Sequence, residues 1–301
     1  MAYNDYINIE FGVGIENGNQ LDTLYKISVD ESVKEALHQM KEAFDNQYMA
    51  FTDPPTQFEL AEKYATTEHL YYPLVQNELP DLFNLFSNSA AIPLNAINIE
   101  RDLGNITYYF AIFSHRNRTK TIGVKRPAQF KGLLQKKVLI YRIINDSLEV
   151  VPDDLFKLDN DFDFFINQNI LDILHPNGFL YISKIDQQTL AAAALATNAL
   201  SQRIHFINFA HMAPLVETNK TAARLISSIK GRLDLEHTSE QLLLAKCRLH
   251  NININQVNGL LAPDDAQLVP FLQILDRRIY DYELIDNQPE HYLAASRNRR
   301  I

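Results

Sequence analysis

Cysteine is nearly absent from this chain: one residue, Cys247, among 301. A single cysteine builds neither an internal disulfide framework nor a cysteine-based metal cluster, and this usage fits a reducing cytoplasm. Long apolar runs are also missing; none approaches the roughly 20 residues that a membrane-spanning helix needs. Met1 to Glu10 shows no basic start and no apolar core of a leader, so no secretion signal is expected. The nine histidines contain no HxxxH or HExxH spacing, and no GxSxG, P-loop or kinase signature occurs. His205 and His211 stand in apolar surroundings, where histidines are more often packed than ligating. No catalytic residue, metal ligand or cofactor is assigned on these grounds.

What the chain does have is an uneven charge. Its net charge is −9, yet residues 1–100 carry 16 acidic and four basic side chains, and the remainder carries 21 and 24. Within that remainder, Leu103 to Asn145 holds nine lysines and arginines and no aspartate or glutamate. Arg116, Arg118, Lys120, Lys125, Arg126, Lys131, Lys136 and Lys137 are the candidate DNA-binding residues, with Arg142 closing the series. Arginine and lysine contact phosphates, and Arg116-Asn117-Arg118 reads as an exposed turn able to reach a groove or a backbone. Lys125-Arg126-Pro127 reads as a second projecting element. Two plainer readings compete: lysines that guard strand edges against pairing, and basic residues that meet the acidic N-terminal part of a second subunit.

Periodicity predicts an α+β protein with a mixed or antiparallel sheet core, a helix-bearing N-terminal part and a helical C-terminal part. Tyr6 to Phe11 and Leu21 to Val29 read as strands, and Gly12, Gly14 and Gly18 as the hairpin loop between them. Val29, Val33, Leu37, Met40, Phe44 and Tyr48 recur at helical spacing, with Asp30 as N-cap. Lys34, Glu35, Lys41 and Glu42 are placed on the solvated face. Residues 56–88 are expected as two helical pieces parted near Tyr72-Pro73. Strands follow at 94–99, 106–113, 121–124, 137–144 and 148–151, with a hairpin closed around Asn167-Gln168-Asn169. Helices are expected at 189–200, 214–229 (with Gly231 as C-cap), 239–249 and 265–275, and Arg277 to Leu284 is expected to return to the sheet. The expected division is an acidic lobe over 1–92 and an α+β domain over 93–301, with strands in 94–182 and helices dominating 186–301.

Carboxylates cluster as well. Asp153, Asp154, Asp159, Asp161, Asp163 and Asp172 form the kind of set with which a magnesium-dependent nuclease holds its ion. They follow no EF-hand spacing. Asp161 and Asp163 alternate with Phe162 and Phe164, the pattern of a half-buried strand with a wet face. Cys247 lies between Lys246 and Arg248, neighbours that can lower a thiol pKa, but with no visible partner it reads as a packed side chain.

A family resemblance enters through Tyr141-Arg142-Ile143, Leu155-Phe156-Lys157-Leu158-Asp159 and Asp161-Phe162-Asp163-Phe164-Phe165-Ile166. Ile170-Leu171-Asp172-Ile173-Leu174, Phe179, Tyr282-Glu283-Leu284 and Tyr292 to Arg297 extend it. Across roughly residues 100–300 the chain resembles the family named for KwaB, a component of the Kiwa anti-phage defence system. The resemblance implies a cytoplasmic defence protein that works with a membrane-embedded KwaA-like partner, binds DNA without a recognised catalytic site and self-associates into dimers. It supplies no catalytic residues, and the basic residues are inferred from charge alone. Three readings stand at this point: a non-catalytic DNA-binding effector, a magnesium-dependent nuclease on the Asp153–Asp172 carboxylates, and a protein-binding scaffold that ignores nucleic acid.

Overall fold

The computed structural model describes residues 6–15, 22–51, 53–64, 68–73, 86, 89, 92–94, 105–127, 141–144, 147–150, 158–282 and 290–294. The chain is an α+β fold, and it divides into two compact units, residues 1–57 with 66–183 and residues 58–65 with 184–301.

The first unit is built on one eight-stranded sheet. Its strands are β1 (Tyr6–Ile15), β2 (Thr23–Ile27), β3 (Thr56–Gln57), β4 (Leu70–Pro73), β5 (Ile106–His115), β6 (Lys120–Lys125), β9 (Phe164–Asn167) and β10 (Ile170–Ile173), and a separate hairpin joins β7 (Tyr141–Ile144) to β8 (Ser147–Val150). The order across the sheet is β2-β1-β5-β6-β9-β10-β4-β3, antiparallel throughout except for the β3–β4 pair. Strands from residues 6–27 and 56–73 therefore lie in the same sheet as strands from 106–173. The expected lobe boundary after residue 92 does not coincide with the division into units, because hydrogen-bonded ladders cross it on both flanks.

Both faces of the central strand β5 are buried, and its alternation assigns them. Tyr109, Ala111 and Phe113 join Phe11, Val13, Phe162 and Phe165 in a core that takes Leu37, Met40 and Phe44 from the helix α1 (Glu31–Ala50). Asp30 caps α1 by accepting from Val33 N–H at 2.9 Å, as expected. On the opposite face, Tyr108 and Phe110 lie directly across from Gly14 and Gly12 of β1. A Cβ at either glycine would run into the facing ring, and at Gly12 also into the Tyr25 carbonyl. These two glycines therefore belong to the strand rather than to the hairpin loop; they are the seats of two aromatic rings.

Residues 56–57 and 70–73 are strands where helix was expected. Leu70 to Pro73 owes its extended form to pairing with β10, a partner a hundred positions downstream that local periodicity does not reveal. Gln168 takes a left-handed conformation (φ 53°) in the β9–β10 turn, which closes as the sequence indicates.

The second unit is mainly helical. Helices Ile185–Ala191, Ala193–Leu200, Phe209–Thr218, Lys220–Lys230, Glu240–Leu249 and Leu268–Leu275 follow one another, with hairpins β11–β12 (Ile254–Val257, Leu260–Pro263) and β13–β14 (Ile279–Tyr282, Glu290–Leu293). Its core gathers Phe209, Met212, Val216, Ile226, Ile229, Cys247, Phe271 and Leu272. The single helix expected over 214–229 is two helices: Asn219 leaves helical geometry and caps the second by accepting from Ala222 N–H at 3.1 Å. Gly231 is the C-cap, in a right-handed conformation that does not require glycine. Ile279 to Tyr282 does not rejoin the large sheet; it pairs with Glu290–Leu293 instead.

Candidate nucleic-acid interface

Five of the expected DNA-binding residues lie on or beside β6, and the fold treats them differently. Arg116 and Arg118 are exposed in the turn between β5 and β6. The turn is pinned from within: Arg118 N–H donates to the His115 carbonyl at 3.0 Å, and His115 N–H to the Thr119 carbonyl at 2.9 Å. The Asn117 side chain accepts from the Thr119 N–H at 3.0 Å and from its hydroxyl at 2.7 Å. Closing such a loop places one residue in the left-handed region, and that residue is Arg118, at φ 67°. Glycine or asparagine is usual there; an arginine carries a cost of roughly 1 kcal/mol. Lys120, also exposed, donates to the Ser89 hydroxyl at 2.9 Å.

At the other end of β6, Lys125 is buried, and its position corrects the expectation that it projects. Its Nζ lies 2.6 Å from Asp161 Oδ1 and 3.1 Å from Asp163 Oδ1, so its charge is spent inside the unit. Burial works against the ammonium, but the two carboxylates hold its pKa above the ordinary lysine value. Arg126 is exposed and stacks its guanidinium on the Tyr181 ring at 3.6 Å, while its N–H donates to Asp163 Oδ2 at 2.7 Å. A stacked guanidinium keeps its edge free to donate, which suits phosphate or base contacts. β6 runs six residues from Lys120 to Lys125, so its two ends stand roughly 17 Å apart, with the turn at one and Arg126 at the other. Lys131, Lys136 and Lys137 lie outside the described residues. The backbone of Arg142 lies in β7, opposite Glu149.

The carboxylates considered for a nuclease are committed to this same framework. Asp161 accepts from His175 Nε2 at 2.8 Å as well as from Lys125, and the His175 hydrogen bond, seconded by Lys125, brings its carboxyl down to about 2. Asp163 is buried, not on a wet face; burial pushes its carboxyl up against the opposing pull of Lys125 and the Arg126 N–H. The Asp159 carboxylate accepts from the Tyr109 hydroxyl at 3.5 Å while its backbone N–H donates to the same oxygen at 2.9 Å, and Asp172 lies 3.4 Å from His69. Asp153 and Asp154 lie outside the described residues. Among the described residues, the four carboxylates at 159, 161, 163 and 172 do not converge on one point as metal ligands do.

Of two further residues, Lys41 departs from its sequence assignment and Cys247 keeps it. Lys41 is buried, with its Nζ 2.6 Å from Asp45 Oδ2 and near the rings of Phe113 and Phe165 at 6.0 and 5.8 Å. Burial lowers the Lys41 pKa and raises that of Asp45, and the pair offsets both. Cys247 is a packed side chain as expected: burial pushes its thiol up to about 11.

Compared with known proteins, residues 103–284 match the family model described as "KwaB: Kiwa protein KwaB-like". No curated protein and no solved structure matches the chain.

Proposed function

The chain belongs to the Kiwa protein KwaB-like family, and from that membership we propose that it serves anti-phage defence as a non-catalytic DNA-binding effector. A Kiwa defence role follows from the family itself. The DNA-binding reading is carried by one observation: a rigid hairpin turn presents Arg116 and Arg118 to solvent, and Arg118 occupies a left-handed position where glycine is cheaper. Backbone strain at an exposed cation motivates a test of that side chain for contact. Lys120 beside the turn, and Arg126 stacked on Tyr181 about one strand length away, extend the surface along β6. The proposal includes a KwaA-like membrane protein as partner and a homo-oligomeric state; no helix among the described residues is long and apolar enough to cross a membrane.

The test is binding of the full chain to a labelled linear duplex across a salt series, with and without magnesium. Expected is salt-steep binding with intact DNA, indifferent to sequence. Replacing Arg116, Arg118 and Lys120 together by alanine should weaken it and lower the log–log salt slope by about 2 to 3, roughly 0.9 per lost phosphate contact. Affinity and slope unchanged in that variant would remove the turn from the interface. Absence of binding at low salt would leave the scaffold reading. Magnesium-dependent cleavage would revive the nuclease, against which stands the pairing of Asp161 and Asp163 with Lys125.

A further inference from the structure

In the second unit, three side chains far apart in sequence converge. Asp281 and His291 are directly opposed across the β13–β14 hairpin, so both stand on one face of it. His250 is the C-cap of the helix Glu240–Leu249 and brings its ring against the same face. Asp281 Oδ1 lies 2.8 Å from His291 Nδ1 and 3.2 Å from His250 Nε2, and the three ligand atoms all fall within 4.8 Å of one another. The two imidazole rings meet edge to face at 4.8 Å between centroids.

From this arrangement we infer that His250, Asp281 and His291 form a divalent transition-metal site, with zinc its foremost occupant. Four features support the assignment. With metal–ligand bonds of about 2.0–2.2 Å, a tetrahedral ion sets its ligand atoms roughly 3.3–3.6 Å apart. The 3.2 Å between Asp281 Oδ1 and His250 Nε2 is already near that edge length, and the 2.8 Å hydrogen bond between Asp281 Oδ1 and His291 Nδ1 would open by about half an ångström to take the ion. Second, the His250 side chain is 8% exposed and its Nε2, though 3.2 Å from Asp281 Oδ1, has no hydrogen-bond partner among the described residues. A buried ring nitrogen left so costs free energy that a metal would recover. Third, the Lys246 ammonium holds the other carboxylate oxygen, Oδ2, which fixes the carboxylate and leaves Oδ1 facing the two imidazoles. Fourth, two imidazoles and one carboxylate oxygen, with a lysine cancelling the carboxylate charge, suit zinc and its neighbours and not magnesium or calcium, which take oxygen-rich shells. His291 is 44% exposed, so the fourth position opens to solvent and admits water or a ligand atom. Metal there ties the hairpin to the helix Glu240–Leu249.

The experiment is calorimetric titration of the metal-stripped full chain with Zn²⁺ alone, repeated on His291→Ala and Asp281→Asn. His205→Ala, an exposed histidine outside the cluster, is the control. One Zn²⁺ per chain at micromolar affinity or tighter is expected, unchanged in the control and weakened at least tenfold in both cluster variants. His291 is exposed enough that its loss leaves the fold intact, which an unchanged far-ultraviolet spectrum verifies. Zinc should also raise the melting temperature of the parent and not of His291→Ala. No stoichiometric binding in the micromolar range, or wild-type binding by His291→Ala, would overturn the site.

Discussion

Single residues carry the clearest consequences. Arg118→Gly should relax the β5–β6 turn and leave stability unchanged or higher by up to about 1 kcal/mol, while weakening DNA binding. Urea unfolding read beside the duplex titration separates the two effects, and a variant that binds as well as the parent would show that the strain serves something else. Lys41→Ala strands Asp45 half-buried without its cation, and should cost about 3–5 kcal/mol in the same unfolding assay. Removing both charges together with apolar replacements should cost far less. Asp161 is held low in the folded protein, at about 2 against an ordinary 3.8, chiefly by His175. Its contribution is thus complete above pH 3.8 and is lost as the pH falls from there towards 2. Asp161→Asn should accordingly flatten the drop in melting temperature between pH 4 and 2.5, by the equivalent of about 1 kcal/mol after solvent screening. Much of this scale is legible in sequence: the Asp30 cap and the packed Cys247 both read correctly. Lys41 does not, because charge drew it to the wet face. Its spacing, four after Leu37 and three before Phe44, puts it in the apolar stripe itself.

At the scale of elements, hairpins announce themselves and long-range strands do not. Turn residues between β9 and β10 give that hairpin away, and Asn258-Gly259 offers an equally direct signal for β11–β12, both residues having positive φ. The two-residue strand β3 and the short β4 exist only through partners, so helical and extended readings of residues 56–73 cannot be separated locally. Gly12 and Gly14 are the reverse case: glycines that suggest a loop but serve packing. Gly12→Ala should destabilise the protein by about 1–3 kcal/mol through overpacking against Phe110 and the Tyr25 carbonyl. Denaturant unfolding checks this, and a loss under 0.5 kcal/mol would mean that the Phe110 ring moves aside freely. The candidate interface was legible as a charged stretch. The distinction between projecting Arg116 and Arg118 and internal Lys125 was not, since both kinds flank the same strand. His250 and His291 escape any scan for regular spacing because 41 positions separate them; only the hairpin register brings Asp281 to both.

For the whole molecule, the α+β class and the sheet core were readable, whereas the division into units was not, because strands on both sides of residue 92 share one sheet. The net charge of −9 sets most of the surface against DNA, so an effector of this kind depends on a local cationic ridge, and its binding should collapse with modest added salt. With a KwaA-like partner co-expressed, the chain should shift into the membrane fraction, and without it remain in the supernatant; equal partitioning in both cases would count against that partnership. The sheet order also sets a schedule for synthesis. Leu70 to Pro73 must wait for Ile170 to Ile173 to leave the ribosome, roughly a hundred residues and 5–20 seconds later at ordinary elongation rates. During that interval the nascent chain carries an unfinished sheet whose early aromatic strand has only the two-residue β3 to pair with. Translation speed and chaperone supply therefore enter the yield of this protein as directly as its final stability does.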